Sequence, residues 1–307
     1  MVEQRVPLSP PEPPRRRPRR SRGQLAARRA IALALLVGGL GLAVWLVTLA
    51  VGSGGSGKAA PATPVAPPPL KIVFPEGFTR AQMAERISAV DEIAKEKRKV
   101  TPRLSAQAYL KTTASSLTPG KFAHDGKRRA LEGFLFPATY EFEPQTTSRH
   151  LVTQQLDSFR TNWAKVDLGY AKSRNLTPYD VLIIASMIEK EVIAPEERAL
   201  VAAVIYNRLH DGMPLGIDAT IRYGLGVPPT ESLKISQLHS SNPYNTGQLP
   251  GLPPTPIANP GLASMQAAAH PAKVNFLFFV RKPDKIHHFF TASETEFDNY
   301  KHAHGYQ

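Results

Sequence analysis

The sequence predicts an α+β protein in three parts: an N-terminal transmembrane helix, a small mixed module and a larger helix-rich mixed domain. Three observations predict it. A charge-free apolar run, Ala30 to Val51, precedes a stretch rich in glycine and proline. Short β-rich segments, "KIVF" and "LEGFLFPATYEF", then mix with helical periodicity over residues 71–147. From Ser148 onward the apolar spacing is mainly helical and includes the strongly apolar "VLIIASMI". With 42% hydrophobic residues in 307, the chain can bury a sizeable core, while its 29 prolines and 21 glycines mark part of it as linker. The lack of cysteine excludes a disulfide framework and thiolate metal sites.

Residues 1–29 form a basic tail: nine arginines against Glu3 and Glu12 give +7, more than half of the whole chain's +13. Such a tail alone suggests nucleic acid, but the segment that follows changes the reading. The 22 residues 30–51 span about 33 Å as a helix, enough for a hydrocarbon core of roughly 30 Å. Arg28 and Arg29 abut one end and Trp45 lies near the other, so the positive-inside rule keeps the N-terminus cytoplasmic and sends Gly52 onward outside. The lipid bilayer is therefore an expected partner and nucleic acid is not. A cleaved signal peptide competes, but secretory apolar cores usually stop at about 7–15 residues, so an uncleaved single-pass anchor is expected. Residues 52–70, "GSGGSGKAAPATPVAPPPL", follow as a flexible, then proline-stiffened linker.

In the small module (71–147), "KIVF" reads as a strand and "PEG" as a turn. Thr79 is a fitting N-cap for a helix whose Met83, Ile87 and Val90 share one face. Residues 91–130 are charged and weakly periodic, with a break at "TPGKF", and "LEGFLFPATYEF" reads as extended chain interrupted at Pro137. In the larger domain (148–307), Leu151, Leu156, Phe159 and Trp163 predict a helix from Ser148 to about Ala171. "NLTPYDVLIIASMIEKEV" has a well-formed helix start: Thr177 as N-cap, Pro178 first, Asp180 three residues after the cap.

This helix carries the chemistry. At about 100° per residue, with Val181 at zero, Glu189 falls near about 80° between Ala185 and Leu182. Lys190 points away, and Glu191 lies near about 280°, between Ile184 and Met187. Neither glutamate is on the wet face. The small Ala185 and Ser186 leave room beside Glu189, whereas Ile184 and Met187 crowd Glu191. The pattern equally allows both to meet a cation such as Arg198 or Arg208 at a surface. A carboxyl group in apolar surroundings holds its proton and can act as a general acid, as glycosidic cleavage requires. Ordinary glycosidases add a second carboxylate. Two residues on opposite flanks of one helix cannot both face one sugar, so a one-carboxylate mechanism fits better unless Asp218 or another distant acid approaches. His287, His288, His302 and His304 form no i, i+4 pair with an acidic third ligand, so a metal is not expected; the resemblance described next implies no organic cofactor either.

Eight segments in order resemble the endolytic murein transglycosylases of the MltG (YceG-like) type. They are "FPEGFT" (74–79), "LEGFLFPATYEF" (131–142), "ASMIEKE" (185–191), "ERALVAAVIYNRL" (197–209), "DATIRYGLG" (218–226), "PYNT" (243–246), "GLPPTPIANPG" (251–261) and "AAAHPAKVNFLFFV" (267–280). The resemblance implies a LysM-like small module and a YceG-like catalytic domain. It makes Glu189 the catalytic acid and base of a lyase that cuts the bond between N-acetylmuramic acid and N-acetylglucosamine without water. One carboxyl then suffices, because the muramic acid's own C6 hydroxyl closes a 1,6-anhydro ring.

Peptidoglycan strands are the implied partner, with cell-wall synthases as further partners. Asp218, Tyr223, Tyr244, Asn245 and His288 are the expected substrate contacts. Tyr223 is suited to stacking on a sugar, with a core tyrosine as the alternative, and Asn245 to a groove or to local backbone groups. The chain departs from the family pattern at Gly216-Ile217, at Gly247 and at Glu296-Phe297, and its linker runs straight into "KIVF". A hydrolysing muramidase and a non-catalytic glycan-binding scaffold are the competing expectations.

Overall fold

The computed structural model describes residues 69–119, 122 and 128–306. The expected basic tail, transmembrane helix and nearly all of the linker lie outside them. Among the described residues no helix is long and apolar enough to cross a membrane.

The first strand, β1 (Leu70–Val73), starts on the linker's last residue and pairs antiparallel with β4 (Thr139–Phe142), Ile72 opposite Tyr140. Alternation decides its faces: Ile72, Tyr140 and Phe142 are buried, while Lys71 and Glu141 form an exposed ion pair at 3.0 Å. Between them runs α1 (Arg80–Arg98), opened by a capping box in which Thr79 accepts from the Gln82 amide and the Gln82 side chain accepts from the Thr79 amide. Met83 and Ile87 are buried and Val90 packs at the core edge. Helix α2 (Ala106–Ala114) and a short hairpin, β2 (Ser116–Leu117) with β3 (Arg128–Arg129), complete this part. Only the end of "LEGFLFPATYEF" is strand; Glu132 to Phe134 form a turn.

Helix α3 (Ser148–Trp163) stops eight residues short of the predicted end, and α4 (Gly169–Ser173) is separate. The Asp167 carboxylate accepts the Gly169 amide at 2.9 Å, a local turn that competes with helix continuation. Helix α5 (Pro178–Glu191) follows, then α6 (Arg198–His210), α7 (Asp218–Leu225), the single turn α8 (Ile235–Leu238) and α9 (Leu262–Ala269). The hairpin β5 (Phe278–Arg281) with β6 (His288–Thr291) and helix α10 (Glu294–Ala303) close the order.

Helix α5 is the centre of the packing. Every residue from Val181 to Ile188 is buried, so it needs neighbours on all sides. Helix α9, "LASMQAAA", lies along it with small side chains that permit close approach, and α6 packs against both. Residues from both sides of position 148 share one hydrophobic core: Phe74, Tyr109 and Phe134 belong to it together with Phe159, Leu182 and Ile184. The Phe134 ring stands edge-on to Phe159 at 5.2 Å between centroids.

Candidate active site

The N-terminus of α5 is fixed as its sequence demands. Thr177 Oγ1 accepts the Asp180 amide at 3.2 Å, Asp180 accepts the Thr177 amide at 2.8 Å, and Pro178 stands first in the helix. The helix closes when the Val192 amide donates to Ile188. Lys190 turns to solvent, as helical geometry requires, and Glu189 is left half-buried in the last turn.

Glu189 lies between two glycines. Its Oε2 accepts the Gly261 amide at 3.0 Å. On the other side stands Gly77, in the left-handed region at φ +76°; a Cβ there would contact Glu189 Cγ at 3.5 Å. The Lys190 ammonium donates to the Gly77 carbonyl at 3.3 Å, which ties the "PEG" turn to the end of α5. Gly261 has a second reason to lack a side chain: the space its Cβ would fill is taken by the carboxyl group of Glu76. With the 3.0 Å bond to Glu189, this holds the two carboxyl groups within about 7 Å of each other. The Glu76 carboxyl is raised above the usual carboxylate range, first by burial against the loop and then by the Glu189 charge, with Arg198 pulling it down.

Asn259 holds this corner together. Its backbone carbonyl accepts the Gly77 amide and its amide donates to Phe78, both at 2.9 Å. Its side chain accepts the Leu135 amide at 2.9 Å and donates to Phe78 O at 2.9 Å and to Glu132 at 2.8 Å. Glu132, 3% exposed, also accepts from the Arg80 amide at the start of α1 and from the Tyr223 hydroxyl at 3.1 Å. Burial outweighs those donors and pushes its carboxyl up to about 7. Ser186 supports the same loop: its hydroxyl donates to Ile183 and accepts the Ile257 amide at 3.0 Å. The room expected beside Ala185 and Ser186 is thus filled by residues 257–261 of the protein itself.

Glu191 faces a different neighbourhood. Burial pushes its carboxyl up to about 7 and the Asp218 charge adds to this, while Arg281, Lys190 and the Ala219 amide at the start of α7 oppose it. The Arg281 guanidinium also donates to the Glu191 carbonyl at 3.2 Å. Arg208 meets neither glutamate of α5; it donates to the carbonyls of Leu277, Pro214 and Leu215.

The other predicted contacts divide. Asp218 is exposed in the first turn of α7, on the Glu191 side. Tyr223 and Tyr244 are half-buried with ring centroids 5.3 Å apart, and Tyr244 hydrogen-bonds Thr255 at 2.7 Å. Tyr223 leads through its hydroxyl to Glu132 and Asn259, and so to the Glu189 corner. Asn245, 2% exposed, donates to Leu238 and Ser240 and accepts the Gly247 amide, which satisfies its own loop. His288 is buried; its amide and Nδ1 meet the Glu197 carboxyl at 2.9 and 2.6 Å, joining β6 to the start of α6.

Glu76, Glu132, Asn259, Gly261 and Glu197 were not singled out from the sequence. All five lie inside the motifs that carried the resemblance, which is the one signal that pointed to them. Among the described residues no group of three or more His, Cys, Asp or Glu could hold a metal ion. A cavity of about 680 Å³ lined by Tyr170, Arg174, Tyr206 and Asn207 contains none of these carboxylates.

A carboxyl group with one oxygen fixed by an amide keeps the other free to give or take a proton, and a second carboxyl stands within reach. Comparison with known proteins identifies the family. The chain is 33% identical over 217 residues to an endolytic murein transglycosylase of Bacillus subtilis, covering 69% of this chain and 59% of that protein. It is 33% identical over 229 residues to one of Streptococcus pneumoniae, covering 68% and 40%. It therefore spans less than two thirds of the length of these relatives. A yceG-like protein of Listeria monocytogenes, known from its crystal structure, superposes with a TM-score of 0.60 at 30% identity over 77% of each chain. The YceG-like family pattern matches residues 57–303, and the chain belongs to that family.

Proposed function

We propose that this chain is a membrane-anchored endolytic lytic transglycosylase, which cleaves the MurNAc–GlcNAc bond of nascent peptidoglycan strands and leaves 1,6-anhydro-MurNAc ends. The observation that carries the reading is Glu189, half-buried at the end of α5 with Oε2 on the Gly261 amide and Oε1 available for the proton. Named relatives with the same activity support it. Glu189 protonates the leaving glycosidic oxygen, and the C6 hydroxyl of the muramoyl residue takes the place of water.

In this reading residues 30–51 anchor the protein with its N-terminus in the cytoplasm, and the linker holds the catalytic part close to the bilayer. Residues 71–147 serve as a LysM-like module that grips glycan, Tyr223 and Tyr244 line the groove, and cell-wall synthases are partners. No cofactor enters the reaction.

A second reading, a hydrolysing muramidase, is favoured by one observation: the Glu76 carboxyl near Glu189, since hydrolases use carboxyl pairs about 5–9.5 Å apart. Digestion of purified sacculi followed by mass spectrometry of the glycan ends separates the two. Anhydro ends are expected; reducing ends would establish the hydrolase.

A further inference from the structure

We propose that the cleft between α4, α6 and residues 271–276 is a second binding site, for the carboxylate end of a short peptide, with Arg174 and Lys273 as the residues that hold the carboxylate. The source of that ligand, the peptides borne by peptidoglycan strands, rests on the transglycosylase reading above; the cleft and its charge do not.

Two cavities of about 680 and 500 Å³ share Tyr170, Arg174, Tyr206 and Asn207, and so form one cleft. Each has the size of a small-ligand site, whereas a folded partner needs a broad face. The walls are pinned. The Asn207 side chain donates to the carbonyls of Val274 and Phe276 at 3.0 and 2.8 Å, and the Ala272 amide donates to Ala199 at 2.9 Å, which fixes residues 271–276 along α6. The Tyr206 hydroxyl donates to Ala268 of α9 at 2.7 Å. The Tyr170 ring stands 5.6 Å from that of Tyr206 and carries the Arg174 guanidinium 5.3 Å from its centroid.

Charge decides the ligand. Arg174 and Lys273 are exposed, and among the described residues neither has a carboxylate partner. The acids nearby in the chain are already engaged: Asp167 by the Gly169 amide and His270, Asp180 by Thr177, and Asp211 by His210. A guanidinium laid on an aromatic ring keeps its in-plane N–H donors for a carboxylate. Ala203, Ala272 and Val274 line the same cavity and suit small side chains. An uncharged sugar gives these two cations nothing to pair with, and a peptide end does.

The position fits the source. Leu176, just ahead of α5, lines the cleft, while Glu189 lies in the last turn of that helix. The helix rises about 16 Å from Pro178 to Glu189. An extended peptide of about five residues spans about 17 Å, so a peptide hanging from a muramoyl residue held at Glu189 is long enough to bring its carboxylate to the cleft.

The test is calorimetry on the full chain with peptides released from purified sacculi by an amidase, before and after amidation of their carboxyl groups. The free acids should bind, and the amidated peptides at least about 10-fold more weakly, as loss of charge-assisted hydrogen bonds requires. The double variant Arg174→Gln, Lys273→Gln should bind the acids no better than wild type binds the amides. Both side chains are exposed, so its melting temperature should match that of wild type. On sacculi the variant should raise KM at an unchanged kcat, and on glycan strands stripped of their peptides it should match wild type. No binding by wild type, equal binding of acid and amide, or undiminished binding by the double variant would overturn the site. Peptide binding with an unchanged KM on sacculi would overturn its assignment to strand-borne peptides. A wild-type chain that binds the peptides but releases no anhydro ends would keep the site and overturn the functional reading beneath it.

Discussion

Replacing Glu132 by glutamine should make the protein more stable at pH 8, although it removes a buried carboxylate with several hydrogen bonds. The carboxyl lies 3% exposed and is pushed from 4.5 up to about 7, with burial the largest cause. The folded state therefore binds this proton more tightly than the unfolded chain. The stability it confers is fully present below pH 4.5 and is lost as pH rises through about 7. At roughly 1.4 kcal/mol per pH unit, the loss is about 3 kcal/mol by pH 8.

Glutamine reproduces the protonated form. Its oxygen can replace Oε1, which accepts from the Arg80 amide at 2.9 Å and Asn259 at 2.8 Å, and its amino group can donate to the Tyr223 hydroxyl. Urea unfolding of wild type and Glu132→Gln at steps from pH 4.5 to 8 measures the difference. The curves should coincide at the acid end and separate by about 3 kcal/mol at pH 8, or about 6–12 °C in melting temperature for a domain of this size. Glu191 titrates in the same window and affects both proteins alike, so the difference isolates Glu132. A variant less stable than wild type at pH 8 would refute the reasoning.

His288→Ala strands the Glu197 carboxylate, 5% exposed, without its 2.6 Å partner, and should cost about 3–5 kcal/mol in a denaturant titration. Ser186→Ala leaves the buried Ile257 amide unpaired at the base of the loop that carries Gly261. It should lower stability by about 1–3 kcal/mol and reduce kcat more than it raises KM, which melting curves and steady-state rates on sacculi would check.

Local features were readable from residue order because neighbouring groups decide them. The capping residues Thr79 and Thr177, Pro178 at the head of α5, and the inward Met83 and Ile87 follow from rules that act within one or two turns. The outward Lys190 followed from the helical angle. Helix α3 is shorter than its apolar spacing predicts because Asp167, four residues beyond Trp163, closes on the Gly169 amide, a side-chain option that apolar spacing does not register.

The candidate site was readable only in part. Glu189 stood out through helix geometry and motif, but its surroundings depend on pairs far apart in sequence: Glu132 with Asn259 across 127 positions, and Gly261 with Glu189 across 72. The small residues beside Glu189 suggest open room, yet the chain returns to fill it with Ile257 on Ser186 and Gly261 on Glu189. The partner of His288 could not be read either, since Glu197 lies 91 positions away.

The central claim is that Glu189 carries the proton chemistry of glycan cleavage, and Glu189→Gln tests it most directly. Glutamine preserves the size of the side chain and can keep its oxygen on the Gly261 amide, so the fold should persist. Wild type and variant, matched in melting temperature, are incubated with purified sacculi and the released ends are analysed by mass spectrometry. The account predicts 1,6-anhydro-MurNAc ends from wild type and a loss of at least about 100-fold in the variant. Anhydro ends released by Glu189→Gln at the wild-type rate would contradict it.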